Sequence, residues 1–314
     1  MTAPSWLVRT GAAWTRFWFA HTSPSTLMLL RAAYGAVMVV WAAAMLPDAA
    51  LLFSEEGIAP GTGWPTAPLT WFTQTGGGAV AVVAAVAVGG AGLLIGRAPR
   101  LSALVVFIGV ATLHAANAGV FNAGDRVLRT LAFVLAISPL HRTPGWGRPV
   151  PAGTTVARWP LRIPQIILTI SYPSSLLHKL SGTSWLEGTS VARSFRLDDM
   201  ARWAELPPEI TESLLFSAPL SWATLAMQAS IPVLIWIPRT RWLAATLGVA
   251  MHGGIDLVLV VGFFFPAMLL LYLAFTPPDV ADRWIGRATD RRSVRSDAPR
   301  SDRTVEHDPA TSGP

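Results

Sequence analysis

A single lysine, Lys179, stands among 23 arginines in this chain of 314 residues. The abundance of Arg, Ala and Gly points to a GC-rich coding bias that replaces Lys wherever Arg will serve. A lysine kept under that bias suggests a need for an amine. Arg stays charged at any relevant pH, whereas a desolvated Lys can lose its proton and act as base or nucleophile. A lysine snorkelling at a helix end would explain the same residue without chemistry.

The neighbours of Lys179 favour chemistry. Gln165, Thr169, Tyr172, Ser175 and Lys179 follow one another at spacings of four, three, three and four, which places all five on one helical face. Polar groups within a bilayer face a cavity or another helix. Lys179 then ends a polar stripe, with His178 about 100° round the helix. Hydrogen bonding between helices accounts for Gln165 or Thr169 but is less natural for Lys179. Later in the chain, His252 and Asp256 are four apart and can share a face. Such a pair could relay protons or orient a base, or could be a structural hydrogen bond.

Other groups read as structure. Asp125 suits a helix N-cap, with Arg129 placed to pair with it one turn on. Glu55 and Glu56, beside Gly57 and Pro60, suit a solvated turn. The six histidines lack metal-ligand spacing, so no metal is expected. The absence of cysteine excludes disulfides, thiolate sites and Cys nucleophiles. The Gly76–Gly78 and Gly89–Gly90 runs lack the setting of a phosphate loop; the second falls in an apolar block, where Gly serves helix packing.

The elements that must position these residues are apolar blocks. Charged residues make up 13% of the chain, about half the roughly 25% of a soluble domain, and mean hydropathy is +0.46. Blocks fall near 27–46, 79–95, 101–118, 127–140, 163–178, 219–237, 242–260 and 262–276. Several reach the ~20 residues needed to cross a bilayer core, and unpaired backbone is not tolerated there, so they must be helices. No period-2 alternation suggests a barrel. The fold expected is an all-α integral membrane protein, a polytopic helical bundle of about eight transmembrane helices. The net charge of +6 comes from arginines in short loops, a topology signal and not a nucleic-acid surface.

Arginines cluster before the first block and after the second, fourth and sixth, while the loop 48–77 carries none. This predicts both termini on the cytoplasmic side, with Lys179 at the extracytoplasmic end of its helix. Residues 1–26 read as a cytoplasmic or interfacial segment without the apolar core of a signal peptide, 27–277 as the transmembrane domain, and 278–314 as a disordered cytoplasmic tail.

The segment His178-Lys179-Leu180-Ser181-Gly182-Thr183-Ser184-Trp185-Leu186-Glu187-Gly188-Thr189 resembles the HTTM family, which includes vitamin K-dependent gamma-carboxylase. Leu52–Pro60, Asn122–Arg129 and Leu247–His252 occur in that family's order, and the resemblance covers roughly residues 15–277. It implies that Lys179 is a general base toward a reduced vitamin K or menaquinone, with His252 and Asp256 in support. Tyr172, His178, Gln165 and Trp185 become candidates for holding the quinol. In the carboxylase, oxygen then converts the quinol to a stronger base, which takes a proton from a substrate glutamate before carbon dioxide adds.

The carboxylase also has a large lumenal domain, for which segment 180–217 is small. That motivates a second expectation: a non-enzymatic membrane factor for maturation or export of a secreted peptide. A transporter ranks third, because the polar groups lie toward one side of the membrane. Either way the expected surroundings are a lipid bilayer, here a bacterial plasma membrane, with a secreted peptide as substrate or partner. A cavity shared by Lys179, Tyr172 and His252 would favour a small-molecule site.

Overall fold

The computed structural model describes residues 5–58, 67–145, 148, 150–197, 200–202, 207, 209 and 212–286. Helix α1 spans Ser5–Phe19 and α2 spans Ser25–Met45. Short helices α3 (Ala49–Phe53) and α4 (Ala67–Thr70) precede α5 (Gly76–Ile95), α6 (Pro99–Ala116) and α7 (Ala123–Ile137). Then follow α8 (Trp159–Leu180), short α9 (Ser190–Ser194), α10 (Leu214–Leu234), α11 (Arg241–Val258) and α12 (Phe264–Leu273). A last helix, α13, covers Pro278–Gly286. The β structure among the described residues is slight: His21–Thr22 pairs antiparallel with Val156–Ala157, and Ala201 bridges to Leu259.

Local sequence sets the helix ends. Thr75 caps α5 by accepting from the Gly78 N–H, and Gly96 closes it at φ 80°, a conformation that costs glycine little. Pro99 opens α6, where its missing N–H is not needed. At α7 the N-cap is Asn122, not Asp125. Asn122 accepts from the Gly124 and Asp125 N–H groups while Asp125, three positions in, accepts from the Asn122 N–H. The other Asp125 oxygen accepts from the buried Trp41 indole at 2.9 Å. The acid therefore spends its lone pairs on the cap and on α2 and forms no ion pair with Arg129.

Two groups of helices make up the bundle. In the first, α2 packs on α5, α5 on α6 and α6 on α7. In the second, α8 packs on α10, α10 on α11 and α11 on α12. Helix α12 joins them, touching α2, α7 and α8. Leu27, Tyr34, Met38, Trp41, Leu128 and Leu131 form the heart of the core. Gly35 and Gly90 let α2 and α5 approach closely, since a Cβ on Gly35 would strike the Gly90 carbonyl and the Leu94 backbone, as small residues permit between membrane helices. Arg31, fully buried in α2, donates to the Pro144 carbonyl at 2.8 Å. Large apolar side chains face outward all round, among them Val40, Val88, Ile108, Phe133, Ile170, Val233 and Leu257. Such a surface suits hydrocarbon and would be a liability in water.

Among the described residues four helices are long and apolar enough to cross a membrane: α2, α5, α6 and α10. A fifth span results if α12 and α13, bent by 108°, count as one. The bend falls at Pro277 and Pro278, where continuation of α12 would lack N–H donors. Of the other blocks expected to span, α7 has only 15 residues, whereas α8 and α11 are long enough but carry the polar stripe and the His–Asp pair. Ordered chain continues beyond residue 277: Ala281 and Ile285 of α13 bury against Met28 and Leu29. Residues 287–314, the bulk of the expected tail, lie outside the described residues, as do Asp198 and Asp199 of the 180–217 segment. Glu55 and Glu56 are exposed in the turn after α3.

Candidate functional site

Helix α8 presents its stripe to the second helical group. It contains Pro164 and Pro173; Pro173 has no N–H for the Thr169 carbonyl, so the helix is locally freed one residue past Tyr172. Thr169 donates to the Gln165 carbonyl and accepts from the Trp236 indole of the 235–240 turn, at 2.8 and 2.9 Å. Gln165 donates to the Ala274 carbonyl at 2.7 Å. The lower half of the stripe thus ties helices together.

The upper half opens on a cavity of about 440 Å³ between α7, α8, α10, α11 and α12. Tyr172, Ser175, His178, Lys179, Gln228 and His252 supply its polar lining, with Val127, Phe264 and Met268 among the apolar walls. The volume falls in the ~300–1,000 Å³ range of small-molecule sites, and apolar walls with a few placed polar groups are their usual composition. Among the described residues no carboxylate lines the cavity. Lys179 Nζ donates to Ser175 Oγ at 2.8 Å and lies 5.0 Å from the centre of the Trp185 ring. Gln228 Nε2 donates to the same Ser175 Oγ at 3.3 Å.

Deeper in, Tyr172 is the hub of a buried triad. Its hydroxyl is 2.9 Å from His252 Nε2 and also contacts the Tyr272 hydroxyl. His252 Nδ1 and Gln228 Oε1 are buried without a partner among the described residues. An orphaned buried polar atom is costly, and both belong to side chains lining the cavity, so they offer hydrogen bonds to a ligand. A ligand with hydroxyl groups on an apolar body would match those atoms and the apolar walls.

The structure therefore brings Lys179, His178, Tyr172 and His252 together, with Trp185 stacked beside the amine. It does not bring Gln165 or Asp256 there. Gln165 lines a different cavity at the opposite end of α8. Asp256 lies 3.6 Å from the Arg202 guanidinium, whose Nε also donates to the Asp256 carbonyl. One turn beyond His252, at the end of α11, the carboxylate reaches the incoming 200–202 segment instead of the bundle interior. Gln228 and Tyr272 belong to the cavity and its triad and carry no spacing signal of their own. Their trace in the sequence is rarity: the chain has three tyrosines, and Gln228 is a lone amide in an apolar block. Among the described residues no group of three or more His, Asp or Glu could hold a metal.

Tyr272 reaches Tyr172 because residue 248 is glycine: a Cβ there would occupy the position of the Tyr272 ring and hydroxyl. Gly248→Ala is expected to cost about 1–3 kcal/mol through overpacking and to push Tyr272 off Tyr172. Gly254→Ala, on the same helix with open space around it, is the matched control. Thermal unfolding in detergent reads the difference, and equal losses in the two variants would contradict this account.

Known proteins agree at the level of family. The family model of the HTTM domain matches residues 19–280. No curated protein and no solved structure matches the chain. The matched region takes in both helical groups, the cavity and the triad, and the chain belongs to the HTTM domain family, as a membrane protein related to the gamma-carboxylase membrane domain.

Proposed function

We propose that this protein is a quinol-dependent membrane enzyme in which Lys179 is the general base. What supports the reading is one observation: the chain's lone amine shares a cavity of about 440 Å³ with His252 and Tyr172. A reduced naphthoquinone such as menaquinol would supply the oxidisable ring to be attacked by oxygen. Lys179 Nζ takes the hydroxyl proton and becomes an ammonium, which Ser175 Oγ and the Trp185 face stabilise. Gln228 Oε1 and His252 Nδ1 orient the ring by hydrogen bonds. Tyr172 and Tyr272 hold His252 through its other nitrogen, so Nδ1 keeps a fixed direction whichever tautomer is present. Ser171 and Ser174 widen the polar rim beside Lys179, and His178 guards the way in. Asp256 anchors the 200–202 segment over the end of α11 and acts at a distance.

The topology that goes with this reading has eight spans, with α8 and α11 turning the polar stripe and His252 inward and Ile170 and Leu257 outward to lipid, and both termini cytoplasmic. Residues 1–26 lie at the cytoplasmic interface, 27–277 form the membrane domain, and the tail from 278 returns to the cytoplasm. The membrane is a bacterial plasma membrane, and a secreted peptide is the second substrate. The test is direct. Purified protein in nanodiscs is given reduced menaquinone and oxygen, and epoxide is measured. Wild type forming no more epoxide than Lys179→Ala would sink the enzyme; if that variant also matches wild type in secretion of a partner peptide, the non-enzymatic membrane factor is the better reading.

A further inference from the structure

The other cavity on α8 has different chemistry. It encloses about 180 Å³, and Arg158, Arg162 and Arg241 line it together with Thr22, Thr276 and Gln165. Among the described residues no carboxylate lines it. The nearest acids on α13 are engaged: Asp279 pairs with Arg283, and Asp282 accepts from Ser25 and Ser23. None of the three arginines forms an ion pair among the described residues, and Arg158 and Arg241 are close enough to Arg162 to repel it.

Three like charges gathered without a counter-ion oppose folding unless an anion joins them. The cluster is also built rather than incidental. Arg162 is clamped between the rings of Phe17, at 4.4 Å, and Trp236, at 5.3 Å. Its Nε donates to the Phe17 carbonyl and its Nη1 to Gln165 Oε1, which leaves Nη2. Arg241 uses only Nε, on the Ile235 carbonyl. Arg158 is the N-cap of α8 and Arg162 lies in its first turn, and Arg241 opens α11, so two helix N-termini add their dipoles at the same place. The volume is below the ~300 Å³ of a typical small-molecule site but suits a single tetrahedral oxyanion, which guanidinium forks match in geometry.

We infer that this cavity is a binding site for a phosphate-type anion, either the headgroup of an anionic phospholipid or a free phosphate. The site is independent of the quinol reading, since it lies at the opposite end of α8 from Lys179.

The full chain is placed in nanodiscs of phosphatidylcholine with and without phosphatidylglycerol, and bound lipid is counted by native mass spectrometry. In a neutral detergent, inorganic phosphate and pyrophosphate are titrated and followed by thermal unfolding. Arg158→Gln and Arg241→Gln should each weaken binding about tenfold, one lost charge-assisted hydrogen bond. Arg158 is exposed and makes no side-chain bond among the described residues, so its variant should fold. Retained phosphatidylglycerol without response to the soluble anions identifies a lipid headgroup. Response to the soluble anions identifies a free phosphate. The inference is overturned if wild type binds none of these more tightly than the Arg158→Gln/Arg241→Gln protein. It is equally overturned if Arg97→Gln/Arg100→Gln, at a separate basic loop, causes the same loss.

Discussion

Lys179→Arg is expected to lose quinol-dependent epoxide formation as completely as Lys179→Ala, by about a hundredfold or more, the usual contribution of a general base. Arginine keeps the charge and the length but cannot give up its proton. A residue needed only as a cation, against Trp185 or a lipid headgroup, would tolerate the exchange. The measurement is epoxide formed from reduced menaquinone across a range of pH, with thermal unfolding to show that each variant folds. Wild type should have a limb that rises with pH as the amine deprotonates, and both variants should lack it. Lys179→Arg at wild-type rate would remove Lys179 from the chemistry, whatever its position in the cavity.

The second large effect is structural. Asp125→Ala is expected to destabilise the protein by about 3 kcal/mol: roughly 1 from half of a capping box and about 2 from the Trp41 bond to a charged group. Asp125→Asn keeps one acceptor and should lose about half as much. Trp41→Phe removes the bond together with part of the buried indole volume, and the double-mutant cycle of Asp125→Ala with Trp41→Phe separates the two: it should show coupling of at least 0.5 kcal/mol, as expected for residues in contact. Unfolding of the purified protein in detergent gives these values. A loss under about 1 kcal/mol for Asp125→Ala would mean that water already reaches the α7 start.

Legibility in the sequence followed the range of the interaction. The stripe from Gln165 to Lys179 was readable because helical spacing alone fixes which residues share a face. Its division into two parts was not, because that depends on partners distant in sequence: Ala274 and Trp236 take up Gln165 and Thr169, while Gln228 and His252 come to Ser175 and Tyr172. Asp256 shows the same limit. Its spacing from His252 predicts a shared face, but the last turn of a helix is open to whatever loop arrives, and Arg202 arrives there. Asp125 was placed at the right helix end but in the wrong slot, since a capping box needs the acid at the third position and Asn122 was the better cap. The helices long and apolar enough to span could be read directly. The polar ones, α8 and α11, could be placed only through the site they build.

The position of α12 between the two helical groups has a consequence for biogenesis. It is made after α2, α7, α8 and α11, yet it touches all four. The helices made before it must therefore wait in the bilayer, with Tyr172 and His252 lacking Tyr272, until α12 is inserted. Closure is then a late event over long sequence separation, which is slow compared with pairing of neighbouring helices. A nascent chain stalled before residue 264 would lack Phe264 and Met268 from the cavity wall, so quality control that senses exposed polar groups would meet this protein chiefly before α12 has docked.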